Sequence, residues 1–447
     1  MGTVNADVEL LRNAYLYGFP LVFNLDQVAR FVTSGVGISP AAPFNSFGHS
    51  RGLAGPADTF VTINNDTIYS MAQIDLSVGP VALHVPDTDG RYYVLQFVDA
   101  WTNNFAYVGH RATGTAARDF LLVPHDWDGI TDDGVTAIRF PTTIGSIVGR
   151  WAVAGEEDLA AVTALQDATK LAPLNPSAVP TGIIAPEPDV PGDLMILEKL
   201  RLWSQQFPPA PRDLPLQESL APLGLTDDGP SPYGGLDDTV VSALKTGLSA
   251  GEETLRHALH SGAGAAKVNG WQLTIHAFDY NLDYFEVGTI NEARFKIDDP
   301  QQRILGRAGA AMAGLWGNHA YEAAYIMTYV DAEGNRLSGA NVYSLRLDPT
   351  PPVGAFWSLT MYSVPDFFLV PNPIERYSIG DRTPGIIYDD DGGLTITISS
   401  ERPDDPKRAA DWLPAPTGHF RPVMRMYEPD DTILREEYVL PPITRVV

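Results

Sequence analysis

The sequence contains no cysteine. Disulfides, thiolate metal sites, iron–sulfur clusters and cysteine nucleophiles are therefore excluded. Basic residues are scarce: 30 Lys and Arg stand against 55 Asp and Glu, for a formal net charge of -25. Such a chain lacks the basic face that nucleic acid or an anionic membrane surface demands, so neither is expected as a partner. No apolar run approaches the length needed to cross a bilayer. The N-terminal stretch MGTVNADVELLRNAYLYGF has no basic n-region and no unbroken apolar segment, so a cytoplasmic protein without a signal peptide is expected. Glycine and proline, in contrast, are plentiful at 40 and 37 of 447 residues, which points to many turns and a β-rich fold. A hydrophobic fraction of 44% excludes a wholly disordered chain. The length suits two or three domains.

The chain opens on a helical pattern, with Val8, Leu11, Tyr15, Phe19, Val22, Leu25 and Val28 spaced by three and four. Asn5 suits its N-cap, and Pro20 is expected to kink or split it. From Thr59 short strands follow: TFVTIN, IYSMAQIDL, VALHVP, YYVLQFVDA, NFAYVGHRA, DFLLVP and VTAIRFP. Their β-branched and aromatic residues, punctuated by Gly, Pro and Asp, predict an antiparallel sheet closing into a barrel or sandwich. Helices are predicted near 156–171, 194–206, 238–261 and 300–316, with a Pro-rich strap beginning at Pro173. Beyond Tyr325 the pattern is strand-like again.

Several motifs fail on their surroundings. Gly48–Gly52 matches the G-x-S-x-G elbow, but its flanks read as loop rather than as a strand-to-helix turn. His257 and His260 share a helix face without a second pair to complete a metal site. Asp389, Asp390 and Asp391 lack the further oxygens of a calcium loop. No metal and no cofactor are expected.

Two polar–aromatic clusters carry more chemistry. In INNDTIYS, Asn64 and Asp66 can hold a turn, and Tyr69 follows on a strand, placing a carboxylate and a phenol near a strand end. In DAWTNNFAYVGHRATG, Asn103, His110 and Arg111 lie across two strands, and Arg111 suits either a substrate carboxylate or a structural pairing with Asp66 or Asp99. Downstream, AFWSLTMYS alternates Phe356, Ser358, Thr360 and Tyr362 on one face with Trp357, Leu359 and Met361 on the other. The hydroxyl-bearing face can line a cleft. Arg376 and Trp412, read as loop or strand-end residues, are further candidate binding groups.

NNDTIYS, DAWTNNFAYVGHRATG and ALQDATKLAPL together resemble domain of unknown function 1254. DAEGNRLSGANVYSLRL, AFWSLTMYS, NPIERYSIGDRT, DDDGGLTITIS and DWLPAP resemble its companion, domain of unknown function 1214. The resemblance covers most of the chain and implies a mainly β fold with helical insertions: an N-terminal antiparallel barrel or sandwich over 1–174, a strap and helical connection over 175–317, and a jelly-roll-like β-sandwich over 318–447. It implies no agreed reaction.

The simplest function left is a small-molecule enzyme working by acid–base chemistry, of hydrolase, lyase or isomerase type. Asp66 would be the base, Tyr69 the acid or oxyanion donor and Arg111 the charge clamp. Asn64, Asn103, Tyr362, Arg376 and Trp412 would contact the substrate. The alternative is a non-catalytic protein binding a carbohydrate or hydrophobic metabolite. Strand edges that need cover suggest a homo-oligomer.

Overall fold

The computed structural model describes residues 6–58, 62–261 and 266–446, and the side chains of residues 260 and 261 lie outside that description. Helix α1 (Val8–Ser34) is capped by Asp7, whose carboxylate accepts from the Leu10 N–H at 2.9 Å. Asn5, expected as the cap, lies outside the described residues. The helix continues through Pro20 rather than splitting there. Proline inside a helix costs about 3 kcal/mol, and the burial of Leu11, Leu21, Leu25 and Val28 outweighs it.

In the first half the strands are β1 (Phe47–His49), β2 (Thr67–Asp75), β3 (Val81–Val85), β4 (Tyr93–Asp99), β5 (Asn104–Gly109), β6 (Arg118–Val123), β7 (Thr136–Arg139), β8 (Ile144–Ala152) and β9 (Lys170–Pro173). The short helix α2 (His110–Thr113) follows β5, and α3 (Leu159–Ala168) follows β8. They build two sheets, β1-β2-β8-β4-β5 and β7-β6-β3-β9. Pairing is antiparallel except between β6 and β7. The sheets stay open and close no barrel, because a helical turn at Leu76–Val78 hands the chain from one sheet to the other. Ile68, Ile74, Leu83, Phe97, Phe120 and Trp151 fill the space between them. The stretch TFVTIN, expected as a strand, begins on residues 59–61, outside the described ones, and ends in a loop.

The Pro-rich strap is tied down rather than free. Gly182 donates to Asp75 at 2.7 Å, and the Trp203 indole donates to the Ile184 carbonyl at 2.8 Å. Helices α4 (Met195–Gln206), α5 (Leu214–Ser219), α6 (Asp238–Ser261) and α7 (Pro300–Gly314) follow; α4, α6 and α7 pack on α1. Between α6 and α7 lie β10 (Ala266–Val268) and β11 (Trp271–Leu273), which extend a sheet of the second half rather than belonging to a purely helical connection.

The second half contains β12 (Ala323–Thr328), β13 (Val342–Leu347), β14 (Val353–Ser363), β15 (Ser378–Gly380), β16 (Leu394–Ser399), α8 (Pro406–Ala410), β17 (Trp412–Pro414), β18 (Phe420–Pro429), α9 (Asp431–Leu434) and β19 (Thr444–Val446). The sheets β10-β11-β12-β18-β14-β15 and β17-β16-β13-β19 form a sandwich. Trp357, Leu359 and Met361 of β14 face its core with Leu345, Ile396 and Met424. The opposite face of the six-stranded sheet turns toward β2 and β8 of the first half, and the candidate site lies between them.

Candidate functional site between the two sheets

The loop before β2 is fixed by Asn64, whose side-chain oxygen accepts from the Asp66 N–H at 2.5 Å. This aims the Asp66 carboxylate at the second half. Its Oδ2 accepts from the Ser358 hydroxyl at 2.6 Å and from the Tyr427 phenol at 3.1 Å. Asn64 Nδ2 donates to the same phenol oxygen at 2.8 Å, which leaves the phenol proton for Asp66. Among the described residues no hydrogen bond ends on Asp66 Oδ1. Phe356 stacks on Tyr427 with centroids 4.1 Å apart, and Tyr92 meets both edge-on. Burial pushes the Tyr427 phenol well above its ordinary pKa, and the negative charge of Asp66 adds to this. Tyr427 is therefore a proton donor at neutral pH.

Arg425 lies two residues before Tyr427, on the same face. It donates to Thr360 at 2.8 Å, to the Tyr362 phenol at 2.7 Å and to the Thr62 carbonyl at 3.1 Å. Opposite stand Tyr69 and Arg150, cross-strand partners on β2 and β8, with the guanidinium 5.5 Å from the Tyr69 ring centre. Arg150 bonds Gln96, Asn318 and the Trp316 carbonyl, and Asn318 donates to the Tyr325 phenol at 3.3 Å. Tyr69 packs on a buried apolar cluster of Phe31, Val36, Met71, Val148 and Trp316. Tyr69, Tyr325 and Met327 sit mid-strand yet are only half-buried, so solvent reaches the space between the sheets.

Of the residues chosen from sequence, Asn64, Asp66 and Tyr362 converge here. Tyr69 stands on the cleft side of β2 beside its cross-strand partner Arg150. The other four are elsewhere. Asn103 binds Asp99 and Arg307 in a separate buried network. An antiparallel meander returning it to Asp66 does not form, because β3 leaves for the other sheet and Asn103 precedes β5 at the far end of its own. Arg111, at the near end, donates to the carbonyls of Tyr321 and Pro429, and not to Asp66 or Asp99. Arg376 is spent on the carbonyls of Ala410 and Trp412, at 2.8 and 2.9 Å. Trp412 is a buried strand residue whose indole donates to Ser399.

Elsewhere, Asp389 binds Arg346 and Lys407, which hold its pKa down at about 2 together with Thr395. The side chain of His260 lies outside the described residues. Among those described, no group of acids and histidines is spaced to hold a metal. A pocket lined by Asp279, Asn281, His319 and Tyr321 has room for about one water, and none of the sequence-chosen residues lines it.

Arg150, Arg425 and Tyr427 escaped the sequence reading. The alternation Arg421, Val423, Arg425, Tyr427 is a signal that was available: a polar stripe along a strand. Arg150 had none. Strand β8 is buried on both faces along its whole length, so IGSIVGRWA shows no alternation.

Comparison with known proteins now places the chain. The family model described as "Protein of unknown function (DUF1254)" matches residues 44–173, and "Protein of unknown function (DUF1214)" matches residues 322–431. The chain belongs to the DUF1254–DUF1214 family. Asp66, Tyr69 and Arg150 fall in the DUF1254 segment, and Ser358, Arg425 and Tyr427 in the DUF1214 segment, so the cleft is built where the family's two domains meet. No curated protein matches the chain. It is similar in fold to the crystal structure of the VPA0106 protein from Vibrio parahaemolyticus, with 24% identity, a TM-score of 0.72, and coverage of 98% of this chain and 100% of that one. An uncharacterised protein from Burkholderia cenocepacia matches at 11% identity and a TM-score of 0.46, over 96% of this chain and 87% of that one.

Proposed function

We propose that this member of the DUF1254–DUF1214 family is an acid–base enzyme of hydrolase, lyase or isomerase type, acting on a small organic molecule in the cleft between the sheets. The observation that carries the reading is Asp66. One oxygen is oriented by Ser358 and Tyr427, and the other accepts no hydrogen bond from the described residues, as a general base requires. Tyr427 serves as the acid once Asp66 has taken the substrate proton and released the phenol, the role expected of Tyr69. Tyr69, across the cleft, positions the substrate ring or chain. The setting consistent with this chemistry is the cytoplasm, with the chain in a homo-oligomer.

The test is a screen of the full chain for turnover of esters, lactones and hydroxy acids, with proton exchange in deuterated water followed by NMR. Wild type is expected to turn over at least one class. Asp66→Asn is expected to lose about 10²–10⁴-fold in rate. Equal rates in both proteins would refute the role of Asp66. The half-buried aromatic and apolar side chains of Tyr69, Tyr325 and Met327 favour one further reading, a carrier of a hydrophobic metabolite, and ligand binding without turnover in either protein would select it.

A further inference from the structure

Six arginines are at least nine-tenths buried among the described residues: Arg150, Arg201, Arg303, Arg307, Arg421 and Arg425. Three of them meet carboxylates. Arg201 pairs with Glu198 at 2.8 Å, Arg303 with Asp213 at 2.9 Å, and Arg307 with Asp213 at 3.6 Å. The other three have no carboxylate in salt-bridge reach among the described residues, and all three lie on the walls of the cleft or further along the same sheet face. Arg150 and Arg425 are held by the amide, hydroxyl and carbonyl oxygens described above. Arg421 donates to the Tyr329 phenol at 3.1 Å and to Thr62, packs on the Phe367 ring at 4.1 Å, and keeps a buried Nε without a partner.

This is a costly arrangement. A guanidinium does not lose its charge in a protein, and burying one without a counter-ion is strongly unfavourable. Neutral oxygens fix its direction without cancelling its charge. The shortage is not one of acids, since the chain carries 55 of them. The carboxylates nearest this wall among the described residues are engaged elsewhere: Asp66 bonds to Ser358 and Tyr427, and Glu322 to Tyr92 at 2.8 Å, where burial favours its neutral form. Glu428, nearby, is bonded to His110 at 2.7 Å. Arg150 and Arg425 also converge. Tyr325 is the ladder partner of Arg425, and its phenol accepts from Asn318, which accepts from Arg150.

We propose that the cleft takes a small organic anion, with its carboxylate or phosphate head between Arg150 and Arg425 beside the Tyr325 phenol. Its apolar body lies against the half-buried Tyr69 ring, which packs on the apolar cluster of Phe31, Met71 and Trp316. The inference rests on the acid–base reading for its location and supplies the substrate class. The missing counter-charge arrives with the ligand, so the site is charged for recognition before the ligand enters. Asp66 then works beside the head group on the bound molecule.

The experiment is calorimetric titration of the full chain with octanoate, with octanamide as the neutral match, and with inorganic phosphate. Octanoate is expected to bind at least tenfold more tightly than octanamide. Arg425→Met and Arg150→Met are each expected to weaken octanoate at least tenfold while leaving octanamide unchanged. Phosphate binding that both variants lose, with no preference for octanoate, would support the same anion site with a phosphate head. Equal affinity of octanoate and octanamide in wild type, without phosphate binding, would overturn the proposal and needs no variant to fold. Undiminished anion binding in both arginine variants would overturn it too. Asp66→Asn separates the two readings: it is expected to keep octanoate binding. Anion binding retained while Asp66→Asn turns over like wild type refutes the catalytic role alone. Turnover lost in Asp66→Asn without any anion binding refutes the substrate class alone.

Discussion

At residue scale, two buried carboxyl groups meet burial in opposite ways, one held by opposite charge and one kept neutral. Asp213 is of the first kind, bonded to Arg303 at 2.9 Å with Arg307 at 3.6 Å. Asp213→Ala strands two buried guanidiniums and is expected to cost about 3–5 kcal/mol, read as a lower urea midpoint. A wild-type midpoint would show that the pair contributes nothing net. Glu322 is of the second kind. Burial raises its pKa from 4.5 to about 8, and the Tyr92 phenol at 2.8 Å and other neighbours only partly offset this. The folded state therefore binds more protons than the unfolded one between those values. Its contribution to stability is complete below 4.5 and is lost as pH rises through about 8, a loss of roughly 3–5 kcal/mol. Glu322→Gln keeps the Tyr92 bond and removes the titration. The melting temperature of this variant is expected to gain on wild type from pH 5 to pH 8 and to level off above that, and parallel curves would exclude Glu322 as the cause.

At element scale, the helices meet through glycine. A Cβ at Gly247 of α6 would stand 2.5 Å from the Leu11 side chain, and one at Gly251 2.5 Å from Tyr15 Cβ. Tyr15 Cβ is fixed to its backbone and cannot yield. Gly251→Ala is thus expected to destabilise by about 1–3 kcal/mol, against the helix propensity of alanine, which alone would stabilise by about 1 kcal/mol. A higher melting temperature in Gly251→Ala would mean that α1 and α6 can separate freely. The strands show what local pattern reveals. β2 to β7 were evident from β-branched and aromatic runs between turn residues. The central β8 was not, since burial on both faces erases alternation, and Gly149 is needed there because a Cβ would stand 2.7 Å from the Ser70 carbonyl oxygen and 2.8 Å from the Leu95 side chain.

At the scale of the whole molecule, the two halves share one interior. Tyr92, Val94 and Tyr107 of the first half pack in the same apolar cluster as Trp271, Phe356 and Tyr427. Arg111 ties the halves through the carbonyls of Tyr321 and Pro429, and His110 through Glu428 at 2.7 Å. A fragment ending at residue 174 would expose the second face of its five-stranded sheet, including Arg150 and Tyr107. It is expected to bind a hydrophobic dye and to melt without a cooperative transition, whereas the full chain melts in one. A sharp, dye-free melt of the fragment would show that the first half folds independently. Among the described residues no helix is long and apolar enough to cross a membrane.

The sequence by itself determined the kinds of element and one half of the site. Hydrophobic period, turn residues and caps act over a few residues, so α1, α6 and β2 to β7 could be placed from local spacing. Asn64 and Asp66 were evident as a turn, and Ser358, Thr360 and Tyr362 as one face of a strand. Which face meets which is not a local property. The switch of sheet after β2 carried Asn103 away from Asp66, and the approach of the two sheets brought Arg425 and Tyr427 to it. Arg111, Arg376 and Trp412 were read as binding groups because their types bind ligands; the fold gave them carbonyls and core instead. A side chain's type limits what it can bond, and only the tertiary structure decides which partner lies within reach and whether water is there to compete.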